Sequence, residues 1–306
     1  MNHKFLISII GPTAIGKTPL SILLARHFHT EILSSDSRQF YKEMSVGTAV
    51  PGKEELASVP HHFIQSRSVS ENYSVGDFER DAIAKLGELY EYHEVVVMAG
   101  GSGLYADAVL KGLDNFPEVD PVIREDLKEL LKKDGITALQ KKLSRLDPET
   151  YEKIDLGNSR RIIRALEVCI GSGLPYGSFL TNKETERNFI PIKIGLTAPR
   201  ALVYDRINRR VDQMMELGLL EEVKSLLPYK DLNALQTVGY KELFVHLEGR
   251  QSLEFAVEEI KKNSRRFAKR QYTWFNKDPE IHWFDYDTNP NEVIVYAENF
   301  MKSKLS

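Results

Sequence analysis

The chain has 306 residues, enough for a sizeable core, and its length points to one large domain with an insertion or to two domains. Its 41 Lys and Arg against 44 Asp and Glu give a formal charge of −3, so global charge does not mark a nucleic-acid binder and any such surface is a local patch. No apolar run approaches a membrane span, and the single cysteine, Cys169, excludes an internal disulfide and reads as a buried, inert thiol in a reducing setting.

Residues 5–10 form an apolar run of six, too short for a secretory signal, which enters Gly11-Pro12-Thr13-Ala14-Ile15-Gly16-Lys17-Thr18 directly. A strand before that stretch and an amphipathic helix over 20–28 after it are the context in which G-x-x-x-x-G-K-[ST] is a phosphate-binding loop. Glycines let the backbone approach a polyphosphate, and unpaired N–H groups at the helix N-terminus point at the anion. Lys17 adds a mobile positive charge, and the Thr18 hydroxyl is placed to ligate a Mg²⁺ ion shared with the phosphates.

Residues 31–34 and 95–99 predict a second and a third strand, with a helix over 78–90 between them. This alternation predicts a parallel sheet with helices on both faces, whose ligands sit at the carboxyl ends of the strands. Asp36-Ser37-Arg38-Gln39 after the second strand and Gly100-Gly101-Ser102-Gly103 after the third should therefore face the phosphate loop. Asp36 has three readings: a Mg²⁺ partner through water, a general base, or a turn cap among neighbouring serines. The third strand ends without the acid that typical phosphate-loop ATPases place there; its glycines admit a ligand closely, and Ser102 offers a small hydroxyl. His61-His62 lacks acid or cysteine partners at ligand spacing, so no metal site is expected there.

Over residues 121–173 strand patterns give way to three helical segments with Lys and Arg on their polar faces. A helical insertion domain is placed at 116–189, between core halves 1–115 and 190–306. Residues 192–197 read as a strand returning to the sheet, 200–227 as one long helix, 253–275 as another helix and 281–284 as an edge strand, with the C-terminal lysines on a frayed end. Three basic clusters stand out: Arg160, Arg161 and Arg164; Arg206, Arg209 and Arg210; and the run 261–275, which carries Arg265, Arg266 and Arg270 among six positive charges and no negative one. One such face is often only solvated, but three in a net acidic chain point to an extended polyanion. Phe267 and Trp274, at helical spacing, are expected in the core.

Taken together, these pieces resemble the tRNA dimethylallyltransferase (tRNA isopentenyltransferase) family. The resemblance rests on residues 11–18, Ser34-Ser35-Asp36-Ser37-Arg38-Gln39-Phe40-Tyr41 with Val46-Gly47-Thr48-Ala49, His61-His62-Phe63-Ile64, Gly100-Gly101-Ser102-Gly103-Leu104-Tyr105, residues 160–168, Val238-Gly239-Tyr240-Lys241-Glu242 and residues 268–275. It implies an α/β fold, a P-loop NTPase-like parallel sheet flanked by helices, with the helical insertion contacting tRNA. The implied reaction moves a dimethylallyl group from its diphosphate to N6 of the adenosine 3′-adjacent to the anticodon in tRNAs reading UNN codons.

On that resemblance Gly11, Pro12, Thr13, Ala14, Ile15, Gly16, Lys17, Thr18 and Arg206 bind a diphosphate leaving group rather than ATP. Asp36 orients the weakly nucleophilic amine and takes its proton, while Ser102 holds the base or assists Asp36. Lys17, Mg²⁺ on Thr18, and Arg210 in preference to Arg206 offset the charge on the departing diphosphate. The tRNA anticodon stem-loop is met by Asp36, Ser37, Arg38, Gln39, Ser102, Arg124, Arg160, Arg161, Ile162, Ile163 and Arg164, with Arg265, Arg266 and Arg270 as further phosphate contacts. Ser102 stands where the family commonly has threonine, and Ile15 replaces a usual small residue, narrowing the wall near the allyl tail. A cytoplasmic monomer without membrane association is expected. A small-molecule kinase would predict ATP turnover and a lid; a non-catalytic RNA binder would make Asp36 incidental; a relative acting on free AMP would not need the basic insertion.

Overall fold

The computed structural model describes residues 3–181 and 185–305. Its sheet contains β1 (Phe5–Ile10), β2 (Ile32–Ser34), β3 (His61–His62), β4 (Val95–Gly100), β5 (Ile190–Thr197) and β6 (His282–Asp285). These strands run in the order β3-β2-β4-β1-β5-β6, every pairing parallel. The fold is thus α/β. The register sets Phe5 beside Val95 on one side and Ile190 on the other, so β1 is central and buried along its whole length. A parallel strand covered on both faces has no polar side to show, which is why residues 5–10 read as a continuous apolar run.

Period-two alternation sends Leu6 and Ile10 of β1 into one core and Phe5, Ile7 and Ile9 into another on the opposite sheet face. The helix Leu253–Phe275 occupies the span its apolar spacing predicts, and Ile260 and Ala268 are buried. The helix ahead of β4 runs Val75–Leu89, three residues earlier than its pattern, because the Ser74 side chain caps the Asp77 N–H.

Two expectations are corrected. The segment 200–227 is not one helix: it breaks between Arg200–Glu216 and Leu219–Ser225, where Gly218 takes φ 93°, a left-handed conformation incompatible with a continuing helix. The C-terminus is not frayed through its lysines. Pro290–Leu305 is a helix anchored by buried Val293, Ile294 and Ala297, with Lys302 and Lys304 in its last turn, where the helix dipole favours cations. His61 and His62 form the edge strand β3, and His62 Nε2 meets the Glu31 carboxylate at 2.5 Å.

Two compact units are present, Met1–Lys111 with Glu186–Ser306, and Gly112–Thr185. Among the described residues the second holds four α-helices where three were expected: Pro121–Asp134, Ile136–Leu146, Pro148–Lys153 and Ser159–Ser172. Gly135 at φ 74° and the Asp147-Pro148 start divide what hydrophobic spacing alone merges. Asp147 is 2 % exposed; it caps the Thr150 N–H, accepts from the Tyr176 N–H, and receives the Cys169 S–H at 3.8 Å. Burial raises the Cys169 thiol above its ordinary range, as an inert thiol requires.

Candidate active site

The loop after β1 turns on Gly11, whose φ is 144° and where a Cβ would lie 2.8 Å from the Leu196 carbonyl oxygen. Only glycine satisfies both constraints. Ala14 at φ 62° and Gly16 at φ 111° complete a loop that delivers its N–H groups to the start of the helix Lys17–His27. Ile15 packs its side chain into the core, 1 % exposed, offers its carbonyl to Arg206 at 3.4 Å, and is among the residues that line the cavity.

Loop residues 13–18, Asp36 after β2, and Ala99, Gly100 and Gly101 at the end of β4 line one cavity of about 760 Å³. These segments do face one another, as the strand-end argument requires. Arg206, Arg209 and Arg210 complete the wall from the helix Arg200–Glu216. Arg210 Nη1 donates to Thr13 Oγ1 at 3.3 Å, and Lys17 Nζ donates to the carbonyls of Pro12 at 2.7 Å and Gly11 at 3.1 Å.

Electrostatics mark the same spot. Burial pushes the Lys17 ammonium down to about 8, with Arg210 adding to the drop and the Asp36 carboxylate opposing it. Burial likewise draws Arg210 below the ordinary guanidinium range, against the pull of Asp36 and Glu55. Cations crowded in a half-buried cleft with too little negative charge are a receptor for a polyanion. Asp36 Oδ1 accepts the Arg38 N–H at 3.0 Å, so the turn role and a place on the cavity wall coexist.

The residues around Asp36 divide their duties. Ser102 Oγ accepts from the Ser37 N–H and donates to Ser37 Oγ, both at 3.0 Å, coupling the loops after β2 and β4. Arg38 spends its guanidinium on the carbonyls of Asn233 and Ala234, and Gln39 spends its amide on those of Thr48 and Ala49. In the basic helix, Arg265 bonds Asn208 Oδ1 at 2.6 Å, while Arg266 and Arg270 stay exposed. Phe267 is not core: it is 39 % exposed, lines the cavity and lies under the Arg270 guanidinium. Trp274 is half-buried, its indole N–H donating to Asp107 at 2.7 Å.

Within the other unit, Arg124 and Arg164 converge on Glu167 at 2.8 and 3.4 Å, and Arg160 and Arg161 are exposed. Ile162 and Ile163, at 0 % and 8 % exposure, belong to that unit's core with Leu139 and Leu166, so their side chains are withdrawn from tRNA contact.

Sequence reasoning assigned no role to Gln271. Its side chain, 6 % exposed, accepts the Thr13 N–H at 2.9 Å and donates to the Gly101 carbonyl at 2.7 Å, stapling the phosphate loop to the glycine turn. The motif around it was legible; its partners, 258 and 170 residues away, were not.

With a carboxylate after β2 and glycines where an ATPase holds its metal acid after β4, the cavity is that of a phosphate-loop transferase. The IPP transferase family model matches residues 39–278. A tRNA dimethylallyltransferase of Christiangramia forsetii is 61 % identical over 296 residues, covering 97 % of this chain and 98 % of the relative. The solved full-length tRNA isopentenylpyrophosphate transferase of Bacillus halodurans is 40 % identical with TM-score 0.72 over 99 % of this chain and 97 % of its own. A eukaryotic dimethylallyltransferase acting on tRNA aligns with TM-score 0.81 and 26 % identity over 98 % of this chain and 80 % of its own. The chain belongs to the IPP transferase family, that of the tRNA dimethylallyltransferases.

Proposed function

We propose that this chain transfers a dimethylallyl group from dimethylallyl diphosphate to N6 of the adenosine 3′-adjacent to the anticodon in tRNAs reading UNN codons, releasing diphosphate. The observation that carries the reading is the single cavity shared by the phosphate loop, Arg210 and Asp36, with no acid after β4. Lys17, Arg206 and Arg210 hold the diphosphate and offset the charge that grows on it as the carbon–oxygen bond breaks. Asp36 accepts the proton that the exocyclic nitrogen sheds as its new bond to carbon forms, and Ser102 sets Asp36 through Ser37.

Thr18, Asp36 and Glu55 give the cavity hard oxygen donors, a chemistry that fits Mg²⁺ held mainly by diphosphate and water. Among the described residues no cluster of three acid, histidine or cysteine side chains forms a dedicated metal cage. When bound by Thr18 and the diphosphate, Mg²⁺ supplies further charge neutralisation of the leaving group. The base must leave its stack to reach the cavity, at a cost of a few kcal/mol that is smallest in a single-stranded loop. Asp36, Ser37 and Ser102 meet the target nucleotide, and Arg124, Arg160, Arg161 and Arg164 of the insertion grip the anticodon stem, with Arg266 and Arg270 as further phosphate contacts. The enzyme works in the cytoplasm as a monomer; among the described residues no helix is long and apolar enough to cross a membrane.

The test is incubation with Mg²⁺, dimethylallyl diphosphate and unmodified tRNA, followed by mass analysis of the nucleosides. One dimethylallyl unit gained on adenosine is the expected result. Product on free AMP but not on tRNA would reassign the acceptor, and ATP turnover in its place would make the chain a kinase.

A further inference from the structure

Past the helix break at Gly218, Glu222 sits on Leu219–Ser225 and reaches a loop 175 residues earlier in the chain. One carboxylate oxygen accepts the N–H groups of Ser45 at 2.9 Å and Val46 at 2.7 Å; the other accepts the Gly47 N–H at 2.9 Å and the Tyr240 hydroxyl at 2.6 Å. Three consecutive backbone N–H groups converging on one point make an anion nest, and here the anion is built into the chain. The same loop is pinned at two more points. The Gln39 amide holds the carbonyls of Thr48 and Ala49 at 3.2 and 3.0 Å, and the Thr48 hydroxyl returns to the carbonyl of fully buried Met44 at 2.6 Å. Gly47 is forced as well: a Cβ there would lie 2.6–2.7 Å from the Tyr240 ring and hydroxyl.

What this effort fixes is a wall of the cavity. Val46, Ala49 and Val50 of the loop line it together with Met214, an apolar group in the same cavity as the cationic Lys17 and Arg210. A prenyl donor has the matching polarity, a diphosphate at one end and a hydrocarbon at the other, and the hydrocarbon needs a dry, preformed surface. We propose that Glu222 is a positioning residue that holds residues 45–50 as the wall against the hydrocarbon of the donor. This rests on the prenyl-transfer reading above. Glu222 touches no substrate; it acts through the loop.

The experiment uses the full chain carrying Glu222→Gln, which replaces an acceptor oxygen by an NH₂ group facing two of the four donors, and separately Gly47→Ala, which displaces the loop from Tyr240 while leaving the carboxylate in place. Steady-state kinetics varying donor and tRNA independently, inhibition by inorganic diphosphate, and thermal melting are measured for each. The expected result is a KM for dimethylallyl diphosphate raised tenfold or more in both variants. The KM for tRNA, kcat and the inhibition constant for diphosphate should stay within threefold, because the phosphate end is untouched. A melting point lowered with the donor KM unchanged would make Glu222 merely structural and overturn the inference. So would a shift confined to the tRNA KM, a parallel loss of diphosphate inhibition, or failure of both variants to fold. Wild-type chain that prenylates no tRNA would instead sink the underlying reading and is recognised before any variant is compared.

Discussion

Lys17 offers the most direct test of how the cavity is charged. Its ordinary value of 10.5 falls to about 8 because burial strips water from the ammonium and Arg210 repels it, with Asp36 compensating only in part. At pH 7 about nine-tenths of the residue is charged and at pH 9 about one-tenth, so if only the ammonium form grips diphosphate, affinity falls about tenfold between the two. The donor's own diphosphate is mostly ionised at pH 7 and gains only its last fraction of charge above it, which would raise affinity rather than lower it, and Lys17→Arg supplies a cation that does not titrate there. Calorimetric titration with dimethylallyl diphosphate and no tRNA, at half-unit steps from pH 7 to pH 9, should show the wild type losing affinity and Lys17→Arg holding level. Linkage gives the same group a second signature. Its native pKa lies below its unfolded one, so between 8 and 10.5 the unfolded chain binds more of the proton and native stability from this residue rises with pH. The full contribution is about 3 kcal/mol, absent below pH 8 and regained by pH 10.5. Parallel pH profiles for the wild type and Lys17→Arg would refute the reasoning, since the titrating charge would then not be the one that holds the diphosphate.

Three further outcomes are expected. Asp36→Ala should leave tRNA affinity within a few fold while turnover drops ~10² or more, the scale of a lost positioned base; unchanged turnover in single-turnover assays would remove Asp36 from the chemistry. Gln271→Leu strands the Thr13 N–H and the Gly101 carbonyl, costing about 1–3 kcal/mol each and lowering the melting point by roughly 5–10 °C; calorimetry showing no loss would mean that the staple carries no stability. Neutralising the exposed Arg266 and Arg270 should weaken tRNA binding and reduce the log–log salt slope by about 1 per residue, whereas an unaltered slope would locate the phosphate contacts elsewhere.

Much of this protein is local and therefore readable along the chain. The phosphate loop is eight consecutive residues in which glycines, lysine and threonine meet backbone demands that arise within the loop itself, and the six-residue apolar run before it is the direct imprint of a strand buried on both faces. The strand-end rule then carried Asp36 and the glycine turn to the cavity without any knowledge of strand order. Periodicity failed where a single backbone conformation outweighs side-chain spacing, as at Gly218 and Gly135, and where an apolar side chain at helical spacing faces the cavity rather than a core, as at Phe267. Ile162 and Ile163 show the converse: a basic helix has an inner face, and a motif copied as a block takes that face with it. Gln271 and Glu222 were beyond reach for one reason. Each spends its side chain on backbone groups of a loop far away in sequence, and a backbone N–H or carbonyl leaves no trace in residue identity. Residue types alone therefore settled the chemistry of the loop and the class of the fold, while the crossovers of the parallel sheet, which bring distant strand ends within hydrogen-bonding distance, decided which side chains hold the site in shape.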